Sequence, residues 1–133
     1  MSSVCWLEDR DDRLRRARAL VATDETAALA LVDSVLAEVP DDLEALRAKA
    51  EILGEAGRAA EARGWFDRLL ALDPGDARAL IDRADIERDP ERALAFYERA
   101  IAALQARGVT DGAPDLEAAR RGRAALTTSR RAS

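Results

Sequence analysis

Pro40 and Pro74 stand 34 residues apart, and the segment they bound has room for two helices and one turn. A proline removes a backbone donor and pushes the preceding residue out of the helical region, so each marks a boundary. Between them Leu43, Leu46, Ala50 and Leu53 recur at helical spacing, and so do Ala62, Phe66, Leu69 and Leu70. Each series lays one apolar stripe along a helix. Gly57 falls between the two, where a tight turn needs a residue that tolerates the left-handed conformation. The spacing predicts a pair of amphipathic helices, about 42–54 and 59–72.

The pattern recurs on both sides. A helix opening between Glu8 and Asp12 would bury Leu14, Ala17, Leu20 and Val21. After a cap at Thr23-Asp24, a second would bury Ala28, Leu31, Val32, Val35 and Leu36. Beyond Asp76, Leu80, Ala84 and Ile86 supply one helix. Asp89-Pro90 then opens another, carrying Ala93, Tyr97, Ala100, Ile101 and Leu104. Aligning Ala93 under Ala62 removes three residues from the intervening turn. Ala28, Ala62 and Ala93 then share one slot, and Val32, Phe66 and Tyr97 the next. A small residue lets two helices approach, and a large one four positions on fills the remaining gap. A last helix from Pro114 to about residue 127 places Leu116, Ala119 and Leu126 on one face. The organisation expected is a single domain of three units, about 10–40, 41–75 and 76–107. A covering helix at 114–127 and a disordered tail at 128–133 would follow.

A known repeat signature reads W-x2-L-G-x2-Y, then A-x3-F, then P, with a period of about 34 residues. Here its slots hold Leu46, Lys49, Ala50 and Leu53, then Ala62 and Phe66, then Pro74. The middle unit resembles a tetratricopeptide repeat, and the resemblance extends in weaker form from Leu14 to Leu104. It implies an all-α fold, a right-handed α-solenoid of antiparallel helix pairs with about seven helices. It also implies a concave groove, lined by the first helix of each pair, that accepts a peptide or helix of a partner protein. By position the groove residues would be Glu44, Arg47, Glu51 and Gly54 in the middle unit. Arg78, Ile81, Asp85 and Arg88 would be their counterparts in the third, with Arg15, Arg18 and Leu20 in the first. The function implied is a protein–protein interaction adaptor. Two alternatives stand beside it: a self-assembling homo-oligomeric subunit, and an accessory or chaperone subunit of an enzyme or secretion substrate. One branch of the family captures C-terminal carboxylates through Lys, Arg and Asn. This chain has no Asn, and Asp82 falls where that branch places a cation, which disfavours that use.

Composition narrows the chemistry. The net charge is −5. Residues 24–99 hold 19 acidic and 10 basic side chains, while residues 1–23 carry +1 and residues 100–133 carry +3. An acidic array of this kind argues against bulk nucleic-acid binding. The chain has no His, the commonest general base and metal ligand. It also lacks a phosphate-cradling glycine loop and a cysteine cluster. No catalytic residue, cofactor or metal is therefore expected. Cys5 is the sole cysteine, so no internal disulfide can form. No apolar run reaches membrane-spanning length and no signal region is visible, which leaves a cytoplasmic location without a membrane partner as the expectation. Trp6 is expected to pack on the first helix pair. Trp65, a quarter-turn from Phe66, is expected in the seam with a neighbouring unit. Each is otherwise a partner contact.

Overall fold

The computed structural model describes the backbone of residues 3–132 and the side chains of residues 9–129. These residues form seven helices and no strand. In order they are α1 Ser3–Leu20, α2 Glu25–Glu38, α3 Leu43–Glu55, α4 Ala59–Leu72, α5 Ala77–Asp85, α6 Pro90–Ala106 and α7 Pro114–Ala132.

Aspartates set the helix starts. The Asp24 carboxylate accepts from Ala27 N–H, Asp42 from Ala45 N–H, Asp76 from Ala79 N–H and Asp89 from Glu91 N–H, at 3.0–3.1 Å. Each satisfies a donor the first helical turn leaves unpaired. Asp42 and Asp76 occupy equivalent places, two residues after Pro40 and Pro74. Each closes a turn through its own N–H, to Val39 O and Asp73 O at 3.2 Å. The prolines thus sit one turn ahead of the caps of the first helices.

By their contacts the residues group into two compact units, Met1–Arg68 and Leu69–Ser133. Repeat architectures contact their sequence neighbours almost exclusively, so contacts cluster locally. In the first unit α1 packs on α2, α2 on α3, and α1 also touches α3. Its core joins Leu14 and Ala17 of α1 to Ala28, Val32 and Val35 of α2 and to Ala45, Ala48 and Ile52 of α3. The second unit has the same order of contacts, α5 on α6, α6 on α7, and α5 touching α7. Leu80, Ala93, Ala100, Leu116 and Ala119 are buried there. Phe66, on the part of α4 that lies in the first unit, is 2% exposed, which makes it a core residue.

Three boundaries differ from expectation. α1 begins at Ser3, because residues 3–8 contain no Gly or Pro to stop a helix. The side chains of Cys5 and Trp6 lie outside the described residues. α7 continues to Ala132 in place of the expected tail over 128–132, and Ser133 is not described. No Gly or Pro follows Gly122, and Thr127 Oγ1 donates to Arg123 O at 2.9 Å within the extended helix. α5 stops at Asp85, so its nine residues are four fewer than those of α3.

Candidate partner-binding surface

The first helices of the first unit, α1 and α3, frame a cleft of about 320 Å³. Arg10, Asp11, Leu14, Arg15 and Arg18 of α1 line it with Glu44 of α3. Arg10 fixes its wall. Nη1 donates to Asp42 Oδ2 at 2.9 Å and Nη2 to Glu44 Oε2 at 3.3 Å, while Nε and Nη2 both reach Asp11 Oδ1. The side chain of Asp42 is only 4% exposed, so one carboxylate caps α3 and tethers α1. The hydrogen bonds to Asp11 and then Asp42 outweigh desolvation and hold the Arg10 guanidinium above its ordinary range. Arg15 and Arg18 are exposed on the same cleft, and no hydrogen bond or ion pair reaches either among the described residues.

The residues expected to line a groove are distributed over both units. Glu44 is exposed on α3, and Arg47 and Glu51 are half-buried there. Arg78 is exposed on α5, with Nη1 3.3 Å from Asp115 Oδ1 of α7 and Nε 3.5 Å from Asp82. Asp85 accepts the Tyr97 hydroxyl. Arg88 is exposed but lies in the turn after α5, not on the helix. Ile81 is 3% exposed and belongs to the core, not to a surface. α5 packs against both α6 and α7, and Ala79 and Ile81, on either side of Leu80, are both buried.

Trp65 is half-buried between two cations. Lys49 Nζ lies 5.3 Å from its ring centroid and the Arg68 guanidinium 5.6 Å. In the second unit Phe96 is flanked in the same way by Arg83 at 4.9 Å and Arg99 at 5.7 Å. Lys49 and Arg83 are 34 residues apart, while Trp65 and Phe96, like Arg68 and Arg99, are 31 apart. These offsets equal the repeat period and that period less the three-residue deletion, so the sandwich is a repeated device. Sequence reasoning that followed only apolar slots passed over it. A search for cations recurring at the repeat offset finds it.

Charged groups also close the second unit. Arg83 Nη1 donates to Glu87 Oε2 at 2.7 Å, with both side chains under 10% exposed. Glu87 Oε1 accepts the N–H groups of Arg88 and Asp89 at 3.1 and 3.2 Å. The Asp89 N–H, then Arg83, hold the Glu87 carboxyl below the usual range against the opposing effect of burial. Burial, reinforced by Asp85, pushes the Tyr97 phenol far above its ordinary value, so it stays a neutral donor.

A tetratricopeptide-repeat sequence profile matches residues 19–84, which hold α2, α3, α4 and most of α5. The Sgt2 tetratricopeptide domain of Aspergillus fumigatus superimposes with a TM-score of 0.76 at 20% identity, covering 92% of this chain and 79% of that one. The chain is a tetratricopeptide-repeat protein. Its fold class is the all-α solenoid of helix pairs, and the A-x3-F slots of the repeat are Ala62 and Phe66, both buried. MamA from Desulfovibrio magneticus RS-1 is similar at 20% identity and a TM-score of 0.61, over 93% of this chain and 77% of that one. An O-GlcNAc transferase mutant of Thermobaculum terrenum gives 25% identity and a TM-score of 0.65, over 73% of this chain. The repeat protein spans about a fifth of that enzyme, 19%. No curated protein sequence matches the chain. A tetratricopeptide fold suggests a role in protein–protein interaction. Among the described residues no helix is long and apolar enough to cross a membrane, and no group of three His, Cys, Asp or Glu could hold a metal.

Proposed function

We propose that this repeat protein is an adaptor that binds a peptide or helix of a partner protein along the faces of its first helices. The observation that carries the reading is the charge left on those faces once the core is complete. α3 presents Glu44, Arg47 and Glu51, and the α5 region presents Arg78, Asp85 and Arg88, all exposed or half-buried. A surface of mixed sign sets register and rejects wrong partners more than it adds affinity. An extended segment or helix of alternating charge is the ligand that suits it. Arginine adds planar, bidentate recognition of carboxylates.

Cross-linked capture from the native host tests this, comparing the unaltered chain with the Arg78→Glu, Arg88→Glu double variant. Both side chains are exposed, so helicity and melting temperature should barely change. The captured partner should be lost. Undiminished capture would move the binding surface to the outer helix faces or to α7.

A further inference from the structure

We propose that the cleft between α1 and α3 receives α1 of a second copy of this chain, antiparallel to its own. The proposal rests on the order of charges along one face of α1 and does not depend on the adaptor reading. Asp11, Arg15 and Arg18 follow one another at four- and three-residue steps, which places them on one stripe of a helix. All three line the cleft and are exposed. The stripe therefore runs acid, base, base. A parallel copy would set like charges against each other. An antiparallel copy related by a two-fold axis at the level of residue 13 sets Asp11 opposite Arg15 of the second copy, and Arg15 opposite its Asp11. An isologous interface of this kind is self-complementary and closed.

The local pairing leaves these groups available. Arg10 is already engaged by Asp11, Asp42 and Glu44 and forms the rigid side of the cleft. Asp11 gives only Oδ1 to Arg10 and its side chain is 53% exposed. Arg15 and Arg18 make no ion pair within the described chain. Leu14, 3% exposed, provides an apolar floor between them. Exposed pairs are individually weak. The dimer is therefore expected to be reversible and to weaken as salt shortens the reach of each charge.

Sedimentation of the full chain over a range of concentrations at low salt tests this. The unaltered protein should dimerise, and added salt should return it to monomer. Arg15→Asp alone and Asp11→Arg alone should each weaken the dimer by about tenfold or more, since each turns both central pairs into repulsions. Mixing these two variants should restore a heterodimer, because each central pair is then again one acid and one base. Circular dichroism should show all three proteins equally helical, as both positions are exposed. A monomer at every concentration, a salt-insensitive dimer, a dimer unaffected by Arg15→Asp, or failure of the mixed variants to associate would each overturn the proposal. None of these substitutions touches α5, so capture of a partner through Arg78 and Arg88 is read independently.

Discussion

The helix pairs α3–α4 and α5–α6 sandwich an aromatic ring between cations at the same repeat positions, yet they close their turns by different chemistry. In α3–α4 the backbone does it alone. Gly57 takes φ +81, so its N–H reaches Gly54 O at 3.2 Å and Arg58 N–H reaches Leu53 O at 2.9 Å. This is the two-bond Schellman ending of a helix. The α5–α6 turn has no glycine. The Glu87 carboxylate instead accepts two backbone N–H groups and the Arg83 guanidinium. This turn is three residues shorter and keeps a backbone bond from Glu87 N–H to Ala84 O at 3.1 Å, but a side chain accepts the N–H groups that follow. The large slot differs in parallel. Phe66 only fills space, whereas Tyr97 also donates to Asp85 and lies against Gly122 of α7. One pair is closed by shape, the other by charge and hydrogen bonds. The second should therefore be the more sensitive to pH.

The largest expected effect sets the scale of the shape-closed pair. Phe66→Ala should cost about 3–5 kcal/mol, because a fully buried ring leaves a cavity. Urea unfolding followed by circular dichroism measures it, and a loss below about 1 kcal/mol would mean the site collapses or is not core. Next comes the contact that Tyr97 makes with α7. A Cβ built on Gly122 would collide with the Tyr97 ring, and the ring is 7% exposed with little room to withdraw. Gly122→Ala should destabilise by about 1–3 kcal/mol through overpacking, although alanine is the better helix former. A more stable Ala variant would show that α7 slides past Tyr97 at no cost.

Glu87→Gln tests the charge-closed turn. It keeps the shape but loses the anion, and should cost about 1–2 kcal/mol at neutral pH. The sign of its pH dependence follows from the lowered pKa. A carboxyl held lower when folded contributes fully above its unfolded value, and that contribution disappears as pH falls through the folded value. The difference between the two proteins should therefore be constant from about pH 6 to 8 and close below about pH 4. A pH-independent difference would remove charge from the account of this turn. The smallest effect is Gly57→Ala, about 1 kcal/mol for a Cβ at positive φ. The space around Gly57 is open, so the cost is conformational alone and should not vary with pH.

Much of this architecture was written locally. The proline spacing, the aspartate caps and the Ala62–Phe66 and Ala93–Tyr97 slots depend on steps of one to four residues and on one period. Such features are visible in a sequence because the helix itself fixes which residues face together. That is why the helix pairs and the family could be read from it. The site was less legible. Arg78 and Asp85 read as groove charges from their positions, but the partners they also hold, Asp115 and Tyr97, could not be read from those positions. Ile81 read as a surface point, but it is buried.

By itself the sequence determined that this chain makes helix pairs, where α2 to α7 begin and, Leu43 apart, most of the stripe each buries, since hydrophobic period and capping act within a few residues. Tertiary structure alone decided which charges are occupied. Arg10 is bound to Asp42 across 32 residues and Arg78 to Asp115 across 37, while Arg15 and Arg18 remain open on the cleft. The reason is that a guanidinium has several competing carboxylates within reach along the chain. Only the packing of whole helices determines which of them arrives within about 3 Å.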